Sequence, residues 1–222
     1  MKSAQWMVWQ LADSAFPSGG FAHSGGLEAA WRAGHVADPP ALEAYLQNQL
    51  CQWANATAPL ALWAHRQAGA ILEADALCDL VLNHPIANRA SRAQGRGLLS
   101  AARQIFQAGE IVEMNRQLTD AASPMHMAPV FGGVCRCLEI SEEETANLYL
   151  FVNLRGGVSA AVRLGIIGPL AAGAMQARLA CKAIEFAQAA ARIAPDDVAQ
   201  TSPVADLLQA CHDRLYSRLF QT

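Results

Sequence analysis

Three groups of residues carry side chains able to do chemistry. The first is FPSGGFAHSGGLE, Phe16 to Glu28, which holds four glycines, one histidine and two serines. Glycine-rich turns cradle phosphates, and a serine beside a histidine can mark a nucleophile. Neither chemistry fits the neighbours. A phosphate loop places a lysine after its glycines, yet Gly20 is followed by Phe21 and Gly26 by Leu27, and no basic residue lies between Lys2 and Arg32. A dinucleotide fingerprint follows a strand, whereas Trp6 to Leu11 reads as a short helix. Ser24 directly follows His23, so the two side chains diverge on a turn. A structural reading fits better. Pro17, Gly20 and the other glycines set a special backbone path, Phe16 and Phe21 anchor it in the core, and Ser24 caps a helix beginning at Gly25.

The second group is basic. Arg89, Arg92, Arg96 and Arg103 lie at offsets of 0, 3, 7 and 14, which places them within one sector of a helix. Such a stripe is either a solvated edge or a docking surface for an acidic partner, whose carboxylates guanidinium forks recognise well. Arg163 sits within the apolar segment SAAVRLG. A buried arginine must have partners, so it is either a paired structural residue or part of an interface. Arg214 and Arg218 flank Tyr216, an aromatic-and-arginine composition common at interfaces and equally compatible with a solvated last turn. The third group is Met125-His126-Met127 followed by Cys135-x-Cys137. Thioether, imidazole and thiolate are ligands for soft or borderline cations. The spacing matches no standard zinc pattern, which leaves core packing as the plainer reading, and no metal site is assigned.

The elements that must position these groups read as helices. Asp38-Pro39 is a cap followed by a proline in the first turn, opening a helix through Trp53. A second helix spans about 59–83 and stops at Pro85. A third spans about 86–120, with a break near Gly109, and ends before Ser123-Pro124. Ser141 with Glu144 is a capping box opening a helix that Gly156-Gly157 could kink. Pro169 opens another, to about 193. Ser202-Pro203 opens a last one, with Leu208, Cys211, Leu215 and Leu219 along one stripe. No run alternates with a period of two, so no sheet is expected. The expectation is an all-α, single-domain bundle of roughly eight to ten helices over residues 1–222.

Composition narrows the function. Hydrophobic residues make up 53% and charged residues 16%, with a net charge of −3. That apolar excess points to burial against partners, and the acidic balance argues against nucleic acid. The N-terminus makes a poor signal peptide. The apolar stretch from Val158 to Met175, interrupted by Arg163 and Pro169, makes a poor membrane span. A cytoplasmic location is expected, with the six cysteines reduced.

With these residues in view, the chain resembles the UreF family of urease accessory proteins. LADSAFPSGGFAHSGGLE, from Leu11 to Glu28, is similar to that family's Phe/Leu-Pro-x-Gly-x-Phe-x-x-Ser-x-Gly-Leu-Glu. The resemblance continues through Arg89 to Gly97, SAAVRLG from Ser159 and HDRLYSRLF from His212. Asp213 stands where the family usually has glutamate, and Gln221-Thr222 where Arg-Ser is common. The resemblance implies a homodimeric, non-catalytic assembly factor. Such a factor binds UreD (also called UreH) and recruits the GTPase UreG, and the complex delivers nickel to apo-urease. It makes Phe16, Pro17, Gly20, Phe21, His23, Ser24, Arg89, Arg92, Arg96, Arg163, Arg214, Tyr216 and Arg218 candidate partner-binding residues. The alternative is a nickel-binding metallochaperone using His126, Cys135 and Cys137.

Overall fold

Helix ends fall where cap chemistry puts them. In this computed structural model, which describes residues 4–221, Asp38 accepts the Ala41 N–H at 2.8 Å and opens a helix at Pro39. The Ser141 hydroxyl accepts the Glu144 N–H at 3.2 Å and opens another at Glu142. Prolines stand in the first turns of those beginning at Pro85, Pro169 and Pro203, where a missing N–H costs nothing. In chain order the helices are α1 (Ala4–Ala12), α2 (Leu27–Arg32), α3 (Pro39–Ala56), α4 (Ala58–Arg66), α5 (Ile71–Val81) and α6 (Pro85–Phe106). Then follow α7 (Gly109–Asp120), α8 (Met127–Cys137), α9 (Glu142–Arg163), α10 (Pro169–Ala190) and α11 (Pro203–Ala210). Ten of them have eight residues or more and α2 has six, and no strand occurs among the described residues. The fold is the expected all-α bundle.

Several boundaries differ from the sequence reading. The expected helix over 59–83 is two, because Gln67 turns to extended backbone between α4 and α5. The break expected near Gly109 falls at Gln107, which adopts φ 52°. Gly156-Gly157 do not interrupt α9. The last helix stops at Ala210, so Leu215 and Leu219 belong to a tail that follows a short turn at His212–Arg214. Ser202 takes the cap position of α11, but its hydroxyl donates to the Asn48 carbonyl at 3.4 Å instead of capping. Thr222 lies outside the described residues.

The core is organised around α8, for whose His and Cys residues the sequence left core packing as the plainer reading, without recognising a helix. Every residue from Ala128 to Cys135 is buried, and α8 packs against α4, α5, α6, α7 and α9. Two close approaches make this possible. A methyl group at Gly132 would overlap the Ala61 carbonyl on α4, and one at Gly95 would overlap the Met125 carbonyl. The loop leading into α8 is held by the fully buried Asp75. Its carboxylate accepts the Met125 N–H at 2.8 Å, the His126 N–H at 2.6 Å and the Ser123 hydroxyl. A second layer of α3, α9 and α10 lies against this core. The short helices α1, α2 and α11 close one end, where α2 and α11 pack on each other.

Gly132→Ala is expected to destabilise the protein by at least about 2 kcal/mol through overpacking. Gly173→Ala, on α10 with no atom within 4 Å of the added methyl, is expected to stabilise by up to about 1 kcal/mol. Chemical denaturation of both variants checks the contrast.

Candidate docking site at the glycine loop and the tail

Glu28 is the second residue of α2 and is fully buried. Its carboxylate accepts the Leu219 N–H at 2.7 Å and the Phe220 N–H at 3.0 Å, and it faces His212 Nε2 at 3.3 Å. The carboxylate opposite places the imidazole proton on Nε2. His212 is itself fully buried, and its Nδ1 has no hydrogen-bond partner among the described residues. The Gln221 N–H adds a bond to the Ala22 carbonyl at 2.8 Å. A buried carboxylate is tolerated only when its oxygens are met by donors, and here every donor comes from the last ten described residues. The glycine loop and the tail, at opposite ends of the sequence, are therefore one unit.

The loop is shaped from three sides. Gly19, Gly25 and Gly26 all take positive φ, between 61° and 87°, a region closed to most side chains. Phe16 stacks on Phe106 of α6 with ring centroids 6.1 Å apart. The Tyr45 hydroxyl donates to the Gly25 carbonyl at 3.0 Å. From α9, Arg155 donates to the Ala12 carbonyl and Arg163 to the Phe21 carbonyl, fastening both ends of the loop. Burial lowers the pKa of Arg155, with Asp13 opposing through space. Ser24 accepts the Glu28 N–H at 3.4 Å, but the helix it precedes begins at Leu27 rather than Gly25.

The candidate residues divide clearly. Phe16, Pro17, Gly20, Phe21, His23, Ser24 and Arg163 line a single cavity of ≈ 650 Å³ that Phe220 also walls. Arg89 bonds Asp213 at 3.0 Å, and Arg218 bonds the same carboxylate at 2.8 Å, so both belong to this end of the molecule. The shorter acid at 213 thus still reaches two arginines. Arg214 and Tyr216 are exposed on the tail. Arg96 turns to the Pro124 carbonyl at 3.5 Å, and Arg92 is half-buried with its Nε unbonded. Two expectations are corrected. Phe21 is no core anchor, since it is 75% exposed. Arg163 is exposed rather than buried, and it stacks on Phe220 at 4.2 Å from the ring centre, with no carboxylate partner among the described residues.

The metal-like residues do not converge. His126 is fully buried, with Nδ1 3.1 Å from the Ser91 hydroxyl and Nε2 3.0 Å from Asp79. Cys135 lies nine residues on, about 13 Å along α8, with its thiol pushed up to about 12 by burial. Among the described residues no three His, Cys, Asp or Glu side chains gather as a metal site.

Sequence reasoning gave Glu28, Arg155 and Phe220 no role. Glu28 offered one signal, an acid at the start of a short apolar helix. Arg155 and Phe220 offered none, because Arg155 bonds a distant backbone carbonyl and Phe220 meets Glu28 and Arg163 from far along the chain.

These motifs and this fold agree with the comparisons. The UreF family model matches residues 36–180. Urease accessory protein F of Oryza sativa subsp. japonica is 36% identical over 221 residues, covering 98% of this chain and 85% of that protein. The Arabidopsis thaliana protein of the same name is 36% identical over 220 residues, covering 97% and 92%. Urease accessory protein UreF of Mycobacterium tuberculosis (strain ATCC 25618 / H37Rv) is 31% identical over 210 residues, covering 95% of each. The chain belongs to the UreF family of urease accessory proteins.

Two outcomes are expected from this geometry. Glu28→Ala leaves three donors facing a void, two of them on the buried residues His212 and Phe220, and should cost about 3 kcal/mol. Amide exchange at 219–221 should rise while α8 stays protected. The second concerns His23, whose pKa is lowered by burial and then by Arg89 and His212. The folded state binds that proton less readily than the unfolded one. The stability it contributes is thus complete above 6.5 and is lost as pH falls below that value. Denaturation midpoints of His23→Gln should fall less steeply between pH 7 and 5 than those of wild type.

Proposed function

We propose that this protein is a non-catalytic adaptor of urease maturation. It works in the cytoplasm as a homodimer of one 222-residue domain, binds UreD (UreH) and recruits the GTPase UreG, so that nickel reaches apo-urease. One observation carries this reading. Glu28 and His212 hold the glycine loop and the tail together, while aromatic and basic side chains stand outward at the same end. Phe21, Tyr216 and Leu219 are exposed there beside Arg163, Arg214 and Arg218. Large aromatic and arginine side chains carry most of the binding energy at protein interfaces. Membership of a family of urease accessory proteins supplies the pathway. No helix among the described residues is long and apolar enough to cross a membrane, which fits a partner that meets others in water. The metallochaperone alternative is less well supported, because both His126 nitrogens already have partners in the core.

Co-purification with UreD and with UreG tests the proposal. Tyr216→Ala combined with Arg218→Glu should reduce recovery of one partner about tenfold. Circular dichroism should be unchanged, since the Arg218–Asp213 pair that this variant breaks is exposed and such pairs contribute about 1 kcal/mol or less. Recovery equal to wild type for both partners would remove this face from the proposal.

A further inference from the structure

Helix α9 carries a glycine in its interior that the packing does not require. A methyl group at Gly157 would press on Leu46 Cδ2 at 2.7 Å, so that glycine is explained by contact. A methyl group at Gly156 would meet no atom within 4 Å. An interior helical glycine costs about 1 kcal/mol relative to alanine, and at Gly156 no contact inside the chain offsets it. What Gly156 does is keep open the ≈ 650 Å³ cavity between α9 and the glycine loop, whose wall it forms.

The chemistry of the cavity is that of an apolar slot with a basic rim. Several of its polar wall groups are already bonded. The Tyr45 hydroxyl holds Gly25, Tyr149 holds Thr57 at 2.9 Å, and Gln52 holds Gln200 and Asp206. Two of its wall groups carry positive charge. Arg155 and Arg163 both line the cavity, and each gives its hydrogen bond to a backbone carbonyl. Among the described residues neither forms an ion pair, and Asp13 acts on Arg155 only through space. Phe21 lines the cavity and is 75% exposed, so the slot opens onto the aromatic face described above.

We propose that this cavity is the docking slot for an extended acidic segment of a partner protein, which seats an apolar side chain beside Gly156 and carboxylates on Arg155 and Arg163. The two arginines are eight residues apart, about 12 Å along the helix. An extended chain advances about 3.3 Å per residue, so the carboxylates are three or four residues apart in the segment. The proposal rests on the adaptor reading and names the chemistry of the partner that reading requires.

The test uses the full chain with the purified partners of the proposed complex. Gly156→Leu fills the slot and Arg163→Gln removes one charge. Arg163 is on the surface, so its variant folds even if the larger side chain at 156 does not fit. Gly156→Leu should keep the wild-type thermal midpoint or exceed it, and Arg163→Gln, which gives up the bond to the Phe21 carbonyl and the stack on Phe220, should fold with a somewhat lower midpoint. Both should bind the partner about tenfold more weakly or worse. With p-benzoylphenylalanine replacing Gly156, photo-cross-linking should capture a partner segment carrying at least two Asp or Glu residues around an apolar one. If wild type binds and both variants bind equally well, the slot is wrong and the adaptor reading stands. A captured segment lacking acidic residues, or cross-links only to a second copy of this chain, also overturns the slot. If wild type binds neither partner, the adaptor reading falls and takes the slot with it.

Discussion

The dry carboxylate of Glu28 is the constraint on which the functional end of this protein depends. An unpaired charge at that depth would unfold the region around it, because its lost hydration must be replaced by donors of good geometry. The chain supplies them from the far end of the sequence, two backbone amides and an imidazole. Everything around the loop follows from that demand. The tail must return across α2, Phe220 is carried under Arg163, and Asp213 comes within reach of Arg89. Surface ion pairs of that kind contribute little by themselves. Their effect here is to keep the returning strand of chain in register over a seat defined elsewhere.

The same device appears a second time in the core. Asp75, equally buried, gathers the amides and hydroxyl of the loop that enters α8. His126 then ties α5 to α6 through Asp79 and Ser91. In both places an irregular segment runs where water cannot satisfy its backbone, and an acid from a helix does so instead. The small residues have a complementary task. Gly95 and Gly132 let backbones touch where helices cross, which gives α8 its five neighbours.

Much of this was legible in the sequence, and the limits are physical. Asp38, Ser141 and the prolines at 85, 169 and 203 marked helix starts because capping is local chemistry. The breaks at Gln67 and Gln107 were not legible, since neither residue favours a break by itself and tertiary packing imposes it. Helix α8 escaped because it is apolar on all sides and so has no polar face to reveal its period. Its His and Cys residues are packed in the core, the plainer of the two readings their types allowed. In the candidate site the glycine loop was recognisable from its own residues. The attachment of the tail was not, because a carboxylate bound to main-chain amides leaves no mark on the side chains it holds.

That last point has an evolutionary consequence. The seat grips the peptide backbone at 219, whose side chain is exposed, so almost any side chain can occupy that position while the tail stays docked, proline alone being barred for want of an N–H. Tyr216 and Leu219 project outward from a strand whose anchorage is blind to their identity. Mutation can therefore rewrite the outward display of this strand, and with it the choice of companion, without loosening its moorings.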